Sequence, residues 1–124
     1  MRIWIKQQFG KKNCGVIAVA VIADITLEKS IEAIGKKGCT TTKHLVNGLR
    51  KLGYECPDRC RKLKLPWPEL AIAKMTHPGR KSGWHWVAIA EGRIYDGVFG
   101  REDGTINWPP GAKMTSYFPV TKKI

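Results

Sequence analysis

Carboxylates are scarce in this sequence. Ten Asp and Glu stand against 22 Lys and Arg among 124 residues, a formal charge of +12. That balance argues against an acidic surface, and the partners to look for are anions: nucleic acid, an anionic surface or an acidic protein. Long apolar runs are missing too. The run from Val16 to Ala23 is eight residues, too short to span a bilayer, and it lies inside the chain without a small-residue cleavage site after it. Neither a membrane partner nor a signal peptide is expected, so the expected location is cytoplasmic. In that compartment the four cysteines are expected as free thiols rather than as two disulfides. Internal repeats and low-complexity tracts are absent. What is there is 43% hydrophobic with five tryptophans, enough to fill one ordinary core, and one domain over residues 1–124 is expected.

Along the chain, Met1 to Ile5 alternates weakly, as a short leading strand would. The Val16–Ala23 run is apolar on every side, and periodicity alone does not separate a buried helix from a buried strand there. Thr26 suits an N-cap, Leu27, Ile31 and Ile34 share one helical face, and Gly35 suits a stop. Leu45, Leu49 and Leu52 repeat that spacing after Thr40-Thr41-Thr42, with Gly53 closing the helix and Gly48 suiting close packing. From Tyr54 onward β-formers, prolines and aromatics take over. Leu70 to Met75 reads as a strand. Trp84 to Ala90 and Arg93 to Val98 read as a hairpin around Glu91-Gly92. Thr105 to Trp108 and Ser116 to Val120 read as two more strands. Helices first and strands after predict an α+β class, with N-terminal helices packed on a C-terminal antiparallel sheet.

Two stretches carry chemistry. Cys14 stands just before the apolar run, and Gln8 lies six positions upstream. If the run is a helix, its unpaired N–H groups and positive dipole end favour the thiolate, the reactive form of cysteine. Gln8 could then donate to an oxyanion beside the Cys14 backbone N–H. The same Cys14 also suits a small buried thiol capping a core helix. The hairpin supplies the second part. With Glu91-Gly92 as the turn, Ala90 faces Arg93 and Asp96 falls opposite Val87, which puts His85 and Asp96 on one face as diagonal neighbours, roughly 7–8 Å apart between backbones. A carboxylate on one ring nitrogen fixes the tautomer and leaves the other to accept a thiol proton. Taken alone, His85 also suits a hydrogen-bonded strand histidine and Asp96 a turn residue before Gly97.

The order Gln8, Cys14-Gly15, Trp84-His85-Trp86-Val87 and Ile94-Tyr95-Asp96 resembles the papain-like cysteine peptidases, closest to the bacterial domains that process double-glycine leader peptides. The resemblance runs from about Lys6 to the last strand. It implies a papain-like fold with the apolar run as a buried helix. It also implies Cys14 as nucleophile, His85 as general base, Asp96 as orienting acid and Gln8 as oxyanion-hole side chain. Asn13 departs from the acidic residue that many of those domains carry before the nucleophile, and no transporter segment is attached. The implied activity is a cysteine peptidase or a related thiol-dependent amide hydrolase or acyltransferase, since amidases, deamidases and transglutaminases share the thioester chemistry.

No cofactor or metal is expected. Cys39, His44, Cys56 and Cys60 could be read as a zinc set, but Cys-x4-His and Cys-x3-Cys are not a common pairing, and core or free thiols are expected instead. Trp84 and Trp86 flank His85 on the opposite face and are expected in the core, whereas Trp67, between two prolines, is expected to be exposed along the cleft. Lys29 to Lys64 holds ten basic and three acidic side chains. An acidic protein or peptide substrate is expected there ahead of nucleic acid. The alternative is a basic module on the same fold that binds nucleic acid or an acidic protein without catalysis.

Overall fold

The computed structural model describes residues 4–6, 13–36, 38, 40–62, 68–76, 84–101, 103–108 and 110–122. Three helices come first, α1 (Cys14–Ala23), α2 (Leu27–Ile34) and α3 (Thr42–Lys51). The strands β1 (Tyr54–Glu55), β2 (Arg61–Lys62), β3 (Leu70–Thr76), β4 (Trp84–Ala90), β5 (Arg93–Tyr95), β6 (Lys113–Pro119) and β7 (Thr121–Lys122) follow. β2-β6-β3-β4-β5 form one antiparallel sheet, and β1 pairs with β7 in a second, two-stranded one. The chain is therefore α+β. Among the described residues no helix is long and apolar enough to cross a membrane.

The ambiguous apolar run is a helix because it is enclosed. Gly15 to Ile22 are all buried, with α2 and α3 on one side of α1 and strands β3 and β4 on the other. The flanking helices form for local reasons. Thr26 caps α2 by accepting from the Lys29 N–H at 3.2 Å, and Gly35 ends it in the left-handed conformation. Thr41 caps α3 in the same way, and His44 Nδ1 returns a bond to the Thr41 N–H at 3.0 Å. Close approach then locks the layer. A Cβ on Gly48 would lie 2.5 Å from Ile34 Cγ1, so α2 and α3 touch as the glycine suggests.

The five-stranded sheet is apolar on both faces. Ile72, Trp86, Ala88 and Phe118 meet the helices. Ala71, Ala73, Met75, Val87 and Ile89 form a second core, closed by Ile94, Trp108, Ala112, Met114 and Tyr117. The register shift between Lys74 and Met75 marks an irregularity of the kind that bends a strand.

Several sequence expectations are corrected. β5 stops at Tyr95 instead of Val98, because the Asp96 side chain captures the next backbone N–H groups. Thr105–Trp108 is not a strand; it keeps only an isolated bridge between Gly100 and Ile106. The strand expected over Ser116 to Val120 runs instead over Lys113–Pro119, and a short further strand, Thr121–Lys122, follows it. Trp84 is 42% exposed and only Trp86, at 2%, is core. Trp4 to Lys6 are not in a strand, while Met1 to Ile3, Gln8, Cys39 and Trp67 lie outside the described residues.

Gly15 tests how tightly α1 is seated. A Cβ there would collide with Thr40 Oγ1 and come within 3.1 Å of Leu45 Cδ2. Gly15→Ala is expected to cost about 1–3 kcal/mol of stability. Adding Thr40→Ala should recover part of that loss in urea unfolding; two strictly additive losses would show that the two residues do not meet.

Candidate active site

The site is built where α1 begins and β4 and β5 part. In a two-residue hairpin the pair flanking the turn exchanges hydrogen bonds, and the pattern repeats every second residue. Here that pair is Ala90 and Arg93, followed by Ala88 and Tyr95, the register read from the sequence. By the same period the Trp86 N–H points toward the β5 side, but β5 has already ended. The Cys14 sulfur takes that N–H, at 3.5 Å. The thiol therefore lies at the strand edge, in the plane of the sheet, beside the residue that follows His85. Cys14 packs against the helix-side core; His85 alternates to the other face, level with Met75.

His85 Nε2 and Asp96 Oδ2 are 2.6 Å apart, and both residues are buried, His85 at 5% and Asp96 at 0% exposure. The carboxylate is fully occupied. Oδ1 accepts from the Val98 and Phe99 N–H groups at 2.8 and 3.0 Å, and Oδ2 accepts from the Trp108 indole at 2.7 Å as well as from His85. Its backbone carbonyl accepts from the Trp4 indole and the Gly100 N–H, both at 2.9 Å. Burial by itself would push this carboxyl up. The hydrogen bond and charge of His85, with the Phe99 N–H and the Trp108 indole, outweigh that and hold it below the usual carboxylate range. An ionised acceptor on Nε2 requires a proton there, which leaves Nδ1 as the basic nitrogen of a neutral ring. The Phe99 ring meets the imidazole edge-on, centroids 5.5 Å apart, and fixes its plane.

Asn13 is the N-cap of α1 but makes no side-chain capping bond, and no acidic residue stands in the first turn. Among the described residues, Asn13 Oδ1 and Thr40 Oγ1 are buried without hydrogen-bond partners. The first N–H groups of a helix have no partners within it, and at this end they lie beside the sulfur.

The structure thus brings His85 to Asp96 and sets the Cys14 sulfur against the backbone of Trp86, the residue after His85; Gln8 lies outside the described residues. Sequence reasoning missed Trp108, Phe99 and Trp4. Nothing in their spacing points to Asp96; an indole beside two prolines reads as core or loop filler until the fold returns it to the carboxylate. Among the described residues no three or more His, Cys, Asp or Glu side chains could hold a metal, and Cys39 of the zinc reading lies outside them. His44 is committed to its helix cap, and Cys56 and Cys60 pack on the helix-side core. Burial pushes the Cys56 thiol up, with Arg50 only partly offsetting it, so this is an unreactive thiol. Compared with known proteins, the chain matches no family model and no curated protein.

Trp108 gives a measurable consequence. A carboxyl with a lowered folded-state pKa contributes stability that is present above its unfolded value, about 3.9, and is lost as pH falls through the lower folded value. Trp108→Phe removes one donor from that charge, so a loss of about 1.5–3 kcal/mol is expected at neutral pH. Because the folded pKa then moves back toward the unfolded one, the drop in stability from about pH 7 to pH 3 should shrink. Urea unfolding at the two pH values checks this; an unchanged drop would mean that Trp108 does not hold the charge.

Proposed function

We propose that this protein is a thiol-dependent amide hydrolase or acyltransferase of papain-like fold, with Cys14 as nucleophile, His85 as acid and base, and Asp96 as the group that orients His85. One observation carries the reading: a thiol at the N-terminus of a buried helix is hydrogen-bonded to the residue next to a histidine whose Nε2 is held by a buried carboxylate. In the first step His85 Nδ1 takes the Cys14 proton and the sulfur bonds to the substrate carbonyl carbon, moving an electron pair onto oxygen. The helix-end N–H groups, with the Gln8 amide that the family resemblance suggests, receive that oxyanion. Collapse expels the amine, which leaves with the proton from His85, and a thioester remains. Water activated by His85 then releases the acid, or an amine takes the acyl group. The place of Cys14 in the first turn of α1 supports this role, since a thiolate or an oxyanion is the charge a helix N-terminus favours.

Iodoacetamide distinguishes this from an ordinary buried thiol. Between about pH 5 and 8, Cys14 is expected to alkylate on the order of tenfold faster than Cys56, because of the two only Cys14 has a helix end and, on this reading, an imidazole to take its proton. His85→Ala should remove most of that difference while far-UV circular dichroism stays unchanged. Equal rates for the two cysteines in the folded wild-type protein would sink the proposal.

A further inference from the structure

Next to the thiol, the ends of the strands form a corner on the helix side of the sheet. The register places Lys62 opposite Ser116, Ser116 opposite Lys74, and Lys74 opposite Trp86, in one row across four strands. One row further out, Lys113 faces Thr76 and Thr76 faces Trp84. Strand alternation puts both rows on the same face. Lys62, Lys113 and Trp84 are exposed there, and Lys74 is half-buried. Its ammonium lies 4.8 Å from the Trp84 ring centre and 5.3 Å from that of Trp86, and the two rings meet edge to face at 5.2 Å. No strand of this sheet contains an Asp or a Glu.

Three ammonium groups on one face, with no carboxylate between them on the strands, make a site for an anion. A lysine already held by two indoles loses little freedom when a ligand pairs with it, and contact with the rings strengthens its hold while leaving its charge uncompensated. Trp86, whose N–H meets the Cys14 sulfur, is the inner wall, so the corner runs away from the thiol toward the β2 edge. We infer that it is the docking shelf for an acidic peptide segment. Glutamate or aspartate carboxylates of that segment pair with Lys74, Lys62 and Lys113, and a neighbouring side chain lies on Trp84. An acidic peptide is favoured over a nucleic acid because the shelf leads directly to a group suited to attack an amide. This orientation rests on Cys14 being the nucleophile; the binding does not.

The test uses the full-length Cys14→Ala protein and fluorescein-labelled hexaglutamate, followed by fluorescence anisotropy. Lys74→Gln is expected to weaken binding about tenfold, a loss of about 1.4 kcal/mol for a charge-assisted contact. Lys62→Gln with Lys113→Gln, both at exposed positions that leave the fold intact, should weaken it several-fold, and Lys29→Gln on α2 should change nothing. Equal weakening by Lys29→Gln, or no weakening by any shelf variant, would overturn the shelf, as would a single-stranded hexanucleotide that outcompetes hexaglutamate at equal concentration. The two readings fail separately. Hexaglutamate binding with an unreactive Cys14 removes the enzyme and keeps the shelf, whereas a reactive Cys14 without shelf-dependent binding does the reverse.

Discussion

A carboxylate buried away from water costs several kcal/mol unless its lone pairs are met by donors, and much of the architecture around β5 follows from meeting those of Asp96. Its donors come from separate parts of the chain: β4 supplies His85, the turn after β5 supplies Val98 and Phe99, and the segment before β6 supplies Trp108. Its carbonyl adds Trp4 from near the chain's start. Strand β5 is short for this reason. Once the Asp96 side chain takes the Val98 and Phe99 N–H groups, the backbone turns and β4 is left with an unpaired edge at Trp86. The Cys14 sulfur occupies that edge. The bond that orients the histidine and the gap that admits the thiol thus have one cause.

Helix α1 satisfies a second constraint in the same place. It is enclosed by helices on one side and the sheet on the other, so its side chains must be small or apolar all round, and Gly15 allows Thr40 to approach its first turn. Ser30 reaches the Val16 carbonyl at 2.6 Å, tying α2 to this buried helix with a satisfied polar group. At its N-terminus the Asn13 side chain makes no capping bond. The first-turn N–H groups, which have no partners within the helix, lie beside the thiol.

The helices α2 and α3 were legible because their signals are local: a threonine cap, a leucine or isoleucine stripe, a glycine at or just past the end. Hairpin register was legible for the same reason, since Glu91-Gly92 sets the pairing of Ala90 with Arg93, and with it the meeting of His85 and Asp96. Other features depend on contacts far apart in sequence. Whether Val16–Ala23 is helix or strand is decided by what surrounds it. The end of β5 is decided by a side chain competing with the ladder, which a propensity argument reads as three more strand residues. Trp84 and Trp86 have identical spacing relations to His85, yet one is buried and the other stands beyond the reach of the helices. Trp108 carries no sequence mark of its role at all.

Charge and site also bear on each other through position rather than total. The ten-to-three excess between Lys29 and Lys64 is largely exposed on and after the helices, and Arg50 spends its charge on Asp58 at 2.9 Å with both side chains open to solvent, an arrangement worth little energy. Asp96 is buried and saturated with donors, so it presents little negative potential to a ligand. Lys74, by contrast, keeps its charge under two indoles at the open end of the same strands. On the proposed reading, positive charge near the sulfur would favour the thiolate, the oxyanion formed from it and an incoming acidic chain alike, because each places negative charge there.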